Sequence, residues 1–342
     1  MTPSLLASQL PLALTMGEPA GIGAEIALKA WLQRDDSGVP PFFIIADAGH
    51  LAHEAAALDL AVPLIRIAEP AAAIEAFACG LPVLHRPLPH VPVPGRPEAA
   101  TAPSVIKAIE EAVHLTQAGQ AAAVVTNPIH KKILLGAGFP FPGHTEFLAS
   151  LAGGDACAVM MLAGPCLRVV PVSVHVSLAE AIASLSAAAI VAAAQATAQA
   201  LAHDFGIARP RLAIAGLNPH AGEEGAMGRE EQELIAPAIA VLQAAGIDAS
   251  GPVPPDALFT PLARAGFDAA ICMYHDQALI PLKALDFDRA VNVTLGLPFV
   301  RTSPDHGTAF DIAGKGRASP TSLIAALKMA AAIAARRRAG PR

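Results

Sequence analysis

Three histidines follow apolar runs that predict buried strands. The run "LRVVPVSVH" ends at His175, "LAIAGLNPH" ends at His220 and "AAICMYH" ends at His275. Because the carboxyl ends of parallel strands meet at one edge of a sheet, histidines in these positions can converge. Three neutral imidazoles form a site for a divalent metal that keeps positions open for water or substrate. Taken singly, each histidine has the alternative of being a solvated or capping residue.

A second group of residues suits an anion. "FPGHTEFLA" places His144 and Thr145 at a predicted helix start after a glycine, where backbone N–H groups and a hydroxyl bind anions. A plain N-cap is the alternative for Thr145. Farther along, Lys283, Asn292 and Arg301 share a region with few charges. Cations that flank apolar strands fit phosphate or carboxylate recognition, with solvated surface cations as the alternative.

A glycine cluster follows the first apolar run, in "LALTMGEPAGIGAEIALKA". Gly17, Gly21 and Gly23 have the spacing G-x-x-x-G-x-G, and a Rossmann fingerprint needs G-x-G-x-x-G. No acidic residue follows a second strand about 20 residues on, and the Lys-Ser/Thr pair of a P-loop is missing. Rossmann binding is therefore not supported, and a ligand-free strand-to-helix turn is the alternative.

Short apolar runs alternate with helical patterns along the chain, which predicts an α/β fold with a largely parallel sheet covered on both faces. The predicted strands are Leu12–Thr15, Phe42–Ala46, Ala123–Thr126, Val159–Leu162, Leu167–Val174, Leu212–Leu217, Ala269–Met273 and Ala290–Thr294. The predicted helices are Glu25–Leu32, Ser104–Gln117, Glu146–Leu151, Leu178–His203, Glu230–Ala245 and Thr321–Ala335.

Composition narrows the class of protein. Of the 342 residues, 54% are apolar and 15% are charged, a composition that excludes a disordered chain. The net charge of -6 argues against a nucleic-acid-binding protein. Four cysteines without a CxxC pair, and an N-terminus without a basic segment before its apolar stretch, predict a cytoplasmic protein. The uncharged stretch between Glu180 and Asp204 is long enough to cross a bilayer. Its alanine content favours a buried helix, at a subunit interface, over a membrane span.

Several longer motifs together resemble one enzyme family. They run in order from Thr15 to Gly316 as "TMGEPAGIG", "TNPIHK", "GHTEFLA", "GLNPHAGEEGAMGREE", "GPVPPD", "MYHDQALIPLK" and "VNVTLGLPFVRTSPDHGTAFDIAGKG". In these segments the chain resembles the 4-hydroxythreonine-4-phosphate dehydrogenases, which serve pyridoxal phosphate biosynthesis. One departure is Ala24, where the family usually has proline.

The resemblance implies a three-layer αβα fold like that of isocitrate and isopropylmalate dehydrogenases, with a cleft between two domains. It places an outer domain with the NAD loops at residues 1–125 plus 290–342, and a central domain with the metal site and dimer contacts at residues 126–289. Such enzymes bind NAD without a Rossmann fingerprint.

The resemblance also assigns roles to residues of this sequence. The implied metal ligands are His175, His220 and His275, and the implied substrate-binding residues are His144, Thr145, Lys283, Asn292 and Arg301. NAD, or alternatively NADP, is implied at Gly17, Gly21, Gly23, Asp305, His306, Gly307 and Asp311. Candidates for the general base are Lys283, His144 and Asp276, with metal-bound hydroxide as a further alternative.

The implied reaction is NAD-dependent oxidation of 4-phosphooxy-L-threonine, followed by decarboxylation. The implied assembly is a homodimer with the active site at its interface and one metal histidine, here His175, from the partner. Imidazole ligands suit zinc or cobalt, whereas magnesium normally prefers oxygen. The alternatives are oxidation of 4-phospho-D-threonate or a cyclic dihydrodiol, acyl transfer by a protein of the same architecture, and a non-catalytic binding protein.

Overall fold

The structure is a computed structural model that describes residues 10–141, 143–153 and 158–340. It divides into two compact units. The first comprises the described parts of Met1–Ala156 and Leu297–Ala335, and the second those of Cys157–Gly296 and Arg336–Arg342. The domain boundaries predicted from the sequence, 125/126 and 289/290, differ from these.

The described residues form twelve strands. They are β1 (Leu12–Thr15), β2 (Phe42–Ala46), β3 (Leu64–Ile67), β4 (Leu81–His85), β5 (Val124–Thr126), β6 (Val159–Ala163), β7 (Arg168–Pro171), β8 (Arg211–Ala215), β9 (Asp248–Val253), β10 (Ala269–Cys272), β11 (Val291–Leu295) and β12 (Arg301–Pro304).

The α-helices of the described residues alternate with these strands. They are α1 (Gly23–Leu32), α2 (Arg34–Ser37), α3 (Ala48–Ala57), α4 (Ala73–Cys79), α5 (Ala102–Gln117), α6 (Lys131–Gly136), α7 (His144–Ala152), α8 (Leu178–Ser184), α9 (Ala187–His203), α10 (Ala236–Ala244), α11 (Pro255–Leu258), α12 (Pro261–Arg264), α13 (His275–Asp286) and α14 (Thr321–Ala339). Shorter 3₁₀ segments lie at Pro70–Ala72, Ala99–Thr101 and Pro219–Gly225, and a π-helical turn lies at Glu231–Ile235.

The first unit contains a parallel sheet with the strand order β3-β4-β2-β1-β5-β12. Every residue of β1, β2 and β5 is buried. Continuous burial of this kind is typical of parallel strands that are covered on both faces by helices. The predicted α/β class is therefore confirmed, and the predicted strands Leu12–Thr15 and Phe42–Ala46 match the structure at both ends.

The second unit contains a mixed sheet with the order β11-β6-β7-β10-β8-β9. Strands β7, β10, β8 and β9 are parallel, whereas β6 is antiparallel to both of its neighbours. Strand β6 turns directly into β7, with the Gly164 N–H donating to Leu167 O at 2.8 Å. So short a connection joins antiparallel strands only, which explains this departure from the predicted parallel pattern.

The segment predicted as one helix from Leu178 to His203 is two helices. They are bent by 95° at the break between α8 and α9. The Oγ of Ser186 accepts a hydrogen bond from the Ala189 N–H at 3.2 Å, so it caps a new helix start. Among the residues that the structure describes, no single helix is both long and apolar enough to span a bilayer, although this bent pair passes such a test together.

Candidate active site

The three histidines leave the second unit's sheet at one edge. Strand β10 lies between β7 and β8, and both pairings are parallel. His175, His220 and His275 follow β7, β8 and β10 in the chain, beyond the carboxyl end of each strand. In an open α/β sheet this edge is where ligands bind.

Two of these imidazoles are neighbours within one chain. The ring centroids of His175 and His275 lie 6.2 Å apart. Nδ1 of His275 lies 2.7 Å from Oδ1 of Asp276, and both residues begin helix α13. A carboxylate on one ring nitrogen orients an imidazole and leaves the other nitrogen for a metal. Within the described ranges, however, no three His, Cys, Asp or Glu side chains already stand together as a complete metal-binding group.

His220 lies in an unusual left-handed turn. Its φ and ψ are 51° and 28°, and the positive φ continues through Glu224. Consecutive left-handed residues cost an L-polypeptide free energy, so the surroundings must hold such a turn in place. The carboxylate of Glu231 does so by accepting hydrogen bonds from the backbone N–H groups of Leu217 and Asn218 at 2.8 and 2.7 Å.

The second unit also contains Lys283 and Asn292. Lys283 lies in α13 with its Nζ 6.0 Å from the ring centroid of Phe287, and Asn292 is a half-buried residue of β11. Both residues therefore belong to the same unit as the three histidines.

The other predicted substrate residues lie in the first unit. Helix α7 begins at His144, and its N-cap is Gly143, which offers no side chain. Thr145 is thus a residue of the first helical turn, and the alternative that it is the N-cap is wrong. The N–H groups of a first helical turn have no partner within the helix itself, so those of α7 and the Thr145 hydroxyl remain suited to an anion.

The first unit buries an arginine near the start of α7, with the exposed Lys131 also close to His144. Arg301, the first residue of β12, is 2% exposed, and burial lowers its pKa to about 10, so it stays charged at neutral pH. The pKa of His144 lies well below its ordinary value, mainly because of burial and also because Arg301 and Lys131 repel a proton. His144 is therefore neutral beside two cations, and its buried Nε2 has no hydrogen-bond partner among the described residues.

The glycine turn contacts the loop that follows β12. The Ile22 N–H donates to Thr308 O at 3.2 Å, and a Cβ on Gly21 would lie only 2.9 Å from that oxygen. Gly17 has a φ of +69°, and a Cβ there would lie 2.7 Å from Pro128 O. Close backbone approach explains both glycines. The predicted cofactor residues Gly17, Gly21, Gly23, Asp305, His306, Gly307 and Asp311 all belong to this unit.

The ion pair between Lys29 and Glu25 connects helix α1 to the C-terminal end of the loop that follows β12. Nζ of Lys29 lies 2.7 Å from the Glu25 carboxylate and donates to Gly316 O and Ala318 O at 2.9 and 2.8 Å. The same carboxylate oxygen accepts the Ala318 N–H at 2.9 Å. Because Glu25 is 1% exposed, helix α1 and the loop are joined by a buried charge network.

Some residues of the family-like motifs contribute to these groups although the sequence analysis did not predict a role for them. "TNPIHK" contains Thr126, which bonds Arg301, and Lys131, which lies near His144. It also contains Asn127, whose buried Oδ1 has no partner among the described residues. "MYHDQ" contains Gln277, whose side chain bonds two strand ends. A signal was present, because Thr126 ends a predicted buried strand and Asn127, Lys131 and Gln277 lie within five residues of the end of one.

Comparison with known proteins agrees with these motifs. A family model described as "Pyridoxal phosphate biosynthetic protein PdxA" matches residues 39–330. A 4-hydroxythreonine-4-phosphate dehydrogenase of Erythrobacter litoralis is 55% identical over 96% of this chain and 98% of its own length. The crystal structure of such an enzyme from Klebsiella pneumoniae matches with a TM-score of 0.85 and 38% identity, covering 96% of this chain and 98% of that one. A terephthalate 1,2-cis-dihydrodiol dehydrogenase from Burkholderia xenovorans matches with a TM-score of 0.62 and 30% identity, covering 95% and 98%.

Proposed function

Because this chain belongs to the PdxA family of pyridoxal phosphate biosynthetic proteins, we propose that it is a 4-hydroxythreonine-4-phosphate dehydrogenase. It oxidises 4-phosphooxy-L-threonine with NAD to 2-amino-3-oxo-4-phosphooxybutanoate. That product loses carbon dioxide to give 3-amino-2-oxopropyl phosphate. The proposal depends on one observation: Arg301 of the first unit is buried and yet charged at neutral pH, so it can bind the phosphate of the substrate.

The phosphate is assigned to the group beside α7. Arg301 presents a planar guanidinium that can hold two phosphate oxygens at once. Thr145 adds a hydroxyl, and the first turn of α7 adds backbone N–H groups. His144 is neutral and offers a ring nitrogen for a hydrogen bond without adding charge. We assign Lys283 and Asn292 to the same substrate.

The donor chemistry at the second unit's sheet edge fits a divalent cation. His175, His220 and His275 would hold it, and Asp276 orients one of the rings through the 2.7 Å contact. When bound, the cation lowers the pKa of the substrate hydroxyl and polarises the carbonyl that replaces it. The imidazole set favours zinc or cobalt over magnesium. Because the described side chains of one chain do not form a complete group, a ligand from a second chain is part of the proposal.

A general base must accept the hydroxyl proton as the alcohol is oxidised. Burial keeps the pKa of His144 low, which makes it a weak base. Asp276 is engaged with His275. Of the three side chains we therefore assign Lys283, with metal-bound hydroxide as the alternative; the hydride leaves the carbon that carries this hydroxyl and goes to NAD.

NAD is assigned to the first unit. The glycine turn and the loop from Asp305 to Gly316 approach each other through the bond between Ile22 and Thr308. The Oδ1 of Asn127 beside this turn has no hydrogen-bond partner within the described part of the chain, and it is an acceptor suited to an N–H donor of a bound molecule. A Rossmann crossover is not needed for this assignment.

We also propose a homodimer, with a second copy covering an apolar surface of the second unit. Val176, Leu178 and Ile182 are 44%, 57% and 43% exposed on and next to α8. Ile280 and Phe287, on and next to α13, are 66% and 68% exposed. Exposed apolar groups of this size are typical of protein–protein interfaces. Val176 adjoins His175, so a partner on this surface would lie next to a proposed ligand.

The cytoplasmic location belongs to the same proposal. Among the described residues, Cys79, Cys166 and Cys272 are free thiols, as expected in a reducing compartment. Cys157 lies outside the described residues.

The second candidate is oxidation of a cis-dihydrodiol, favoured by the likeness to the Burkholderia xenovorans dehydrogenase. A dihydrodiol carries no phosphate for Arg301. The deciding experiment measures NADH formation from 4-phosphooxy-L-threonine, 4-phospho-D-threonate and a cis-dihydrodiol, each with and without a chelator. Turnover of 4-phosphooxy-L-threonine alone, abolished by the chelator, is the expected result. Turnover of the dihydrodiol alone would refute the proposal.

A further inference from the structure

The side chain of Lys131 lies next to the start of helix α7. A Cβ on Gly143, the N-cap of that helix, would lie 3.3 Å from Cε of Lys131 and 3.5 Å from its Nζ. The φ of Gly143 is -176°, an extended conformation that any residue adopts, so its backbone does not require glycine. A side chain at this position would instead compete with the ammonium group of Lys131 for the same space.

Lys131 reaches this point from a different helix. It is the first residue of α6, and residues 127–130 connect it to Thr126 at the end of β5. The hydroxyl of Thr126 accepts the 2.7 Å hydrogen bond from Arg301. The segment that follows β5 therefore supplies both the hydroxyl that orients Arg301 and an ammonium group at the start of α7.

The charges of Lys131 and Arg301 act on the same side chain. Both lower the pKa of His144, the first residue of α7, in addition to the larger effect of burial. The buried Nε2 of His144 has no hydrogen-bond partner among the residues that the structure describes. The N-terminal end of a helix adds a partial positive charge. Two full positive charges and a partial one therefore act close to a buried ring nitrogen that is available to a ligand.

Glu146 is a carboxylate close to these cations. Its Oε2 would lie 3.3 Å from a Cβ on Gly143, and this buried oxygen accepts no hydrogen bond from the described part of the chain. The charges of Arg301, Lys131 and Glu146 sum to one positive charge. These three side chains therefore leave positive charge for an anionic ligand at the start of α7.

We propose that Lys131 is a phosphate-binding residue and the second cation of the substrate site beside α7. Arg301 is 2% exposed and binds the phosphate from the interior, whereas Lys131 is exposed and binds it from the solvent side. Two cations match the charge of a phosphate monoester dianion better than that of a single carboxylate. The inference rests on the phosphate assignment in the proposed function.

The test uses the full chain and inorganic phosphate alone. A ligand that binds only the folded state raises the thermal midpoint of unfolding, so a phosphate titration of this midpoint reports affinity without turnover. Sodium chloride at equal ionic strength gives the baseline. Lys131→Met keeps most of the length of the side chain and removes its charge. The matched control is Lys132→Met, which changes the next residue of α6, also an exposed lysine.

We expect Lys131→Met to bind phosphate about threefold to tenfold more weakly than the unmodified chain, because an exposed ammonium group contributes less than a buried one. The KM for 4-phosphooxy-L-threonine should rise by a similar factor, and the KM for NAD should not change. The difference should shrink as sodium chloride rises from about 0.05 M to about 0.5 M, because salt screens an exposed charge. A purely structural role for Lys131 would not produce this salt dependence. Lys132→Met should behave like the unmodified chain.

Equal phosphate affinity and equal KM values in Lys131→Met and Lys132→Met would overturn the inference, and a raised KM in Arg301→Lys would show that the phosphate site itself stands. A different pair of results refutes both. These are a midpoint of the unmodified chain that phosphate raises no more than sodium chloride does, and an unaltered KM in Arg301→Lys. The phosphate assignment then fails, and the role of Lys131 fails with it.

Discussion

The guanidinium of Arg301 donates a 2.7 Å hydrogen bond to the hydroxyl of Thr126. Arg301 begins β12 and Thr126 ends β5, and these two strands pair in parallel. The bond lies in the buried interior of the first unit, where Thr126 is 0% and Arg301 2% exposed. The hydroxyl therefore orients a buried cation, which is the arrangement that an anionic ligand requires.

Replacing Arg301 by lysine tests the phosphate assignment. Arg301→Lys keeps the charge but loses the planar pair of donors. We expect the KM for 4-phosphooxy-L-threonine to rise by about tenfold to a hundredfold, which corresponds to the roughly 1.5–3 kcal/mol of a charge-assisted contact. The KM for NAD should change little. Steady-state kinetics with each substrate varied in turn measures both constants.

The matched control for this substitution is Arg66→Lys, which changes an exposed arginine in β3 of the same unit. It should leave both constants unchanged. A KM for the phosphorylated substrate that is unaltered in Arg301→Lys would remove this residue from the site.

Thr126→Val tests whether the hydroxyl orients Arg301. Valine has nearly the same shape but cannot accept the hydrogen bond, so a buried guanidinium N–H loses its partner. Such a loss costs about 1–3 kcal/mol of the free energy of unfolding. We expect a lower thermal midpoint and a raised KM for the phosphorylated substrate. Thr126→Ser, which keeps the hydroxyl, should leave the KM unchanged; a KM raised as much in Thr126→Ser as in Thr126→Val would mean that the shape of this side chain, and not its hydrogen bond, sets the KM.

The strands that carry the histidines could be predicted from the sequence because they are short, apolar and buried on both faces. "AAICMYH" and "LAIAGLNPH" each show the boundary where burial ends and a polar residue begins. The sequence pattern did not predict that β10 lies between β7 and β8 in the sheet. Strand order depends on long-range packing, which local periodicity does not encode.

Other features escaped prediction for identifiable physical reasons. Strand β9 contains glycine and proline and is largely exposed, so it lacks an apolar run. Helix α13 starts at His275 and contains Pro281, and both weaken its helical pattern. The left-handed turn at His220 is imposed by tertiary bonds from Glu231, and an isolated "NPHAGEEG" gives no reason to expect it.

Lys29→Met tests the charge network that joins α1 to the loop after β12. The substitution removes the ion pair with Glu25 and two hydrogen bonds to the loop. We expect the free energy of unfolding to fall by about 1–3 kcal/mol, because a buried carboxylate loses its partner. If NAD binds this loop, its affinity should fall as well, which isothermal titration calorimetry measures.

Lys328→Met is the control for this charge network, since Lys328 in α14 also donates to a backbone carbonyl of the first unit, Ser37 O at 2.8 Å. It should leave NAD binding unchanged. Tight NAD binding that persists in a folded Lys29→Met chain would argue against the loop as the cofactor site.

Buried carboxylates of the first unit predict a pH dependence of stability. Glu54 in α3 is 4% exposed, and its pKa is raised, mainly by burial and further by the charge of Glu25. An unfolded chain ionises this group at its ordinary pKa, whereas the folded chain keeps the proton to a higher pH. Between the two pKa values the unfolded state binds fewer protons, so the free energy of unfolding falls as the pH rises.

Glu54→Gln removes this ionisation and keeps the shape of the side chain. The thermal midpoint of Glu54→Gln minus that of the unmodified chain should therefore increase between about pH 5 and about pH 8. Thermal unfolding followed by circular dichroism at both pH values gives this difference. Glu110→Gln, at an exposed position of α5, is the matched control and should show no such increase. A difference for Glu54→Gln that stays constant with pH would mean that Glu54 is no harder to ionise in the folded chain than in the unfolded one.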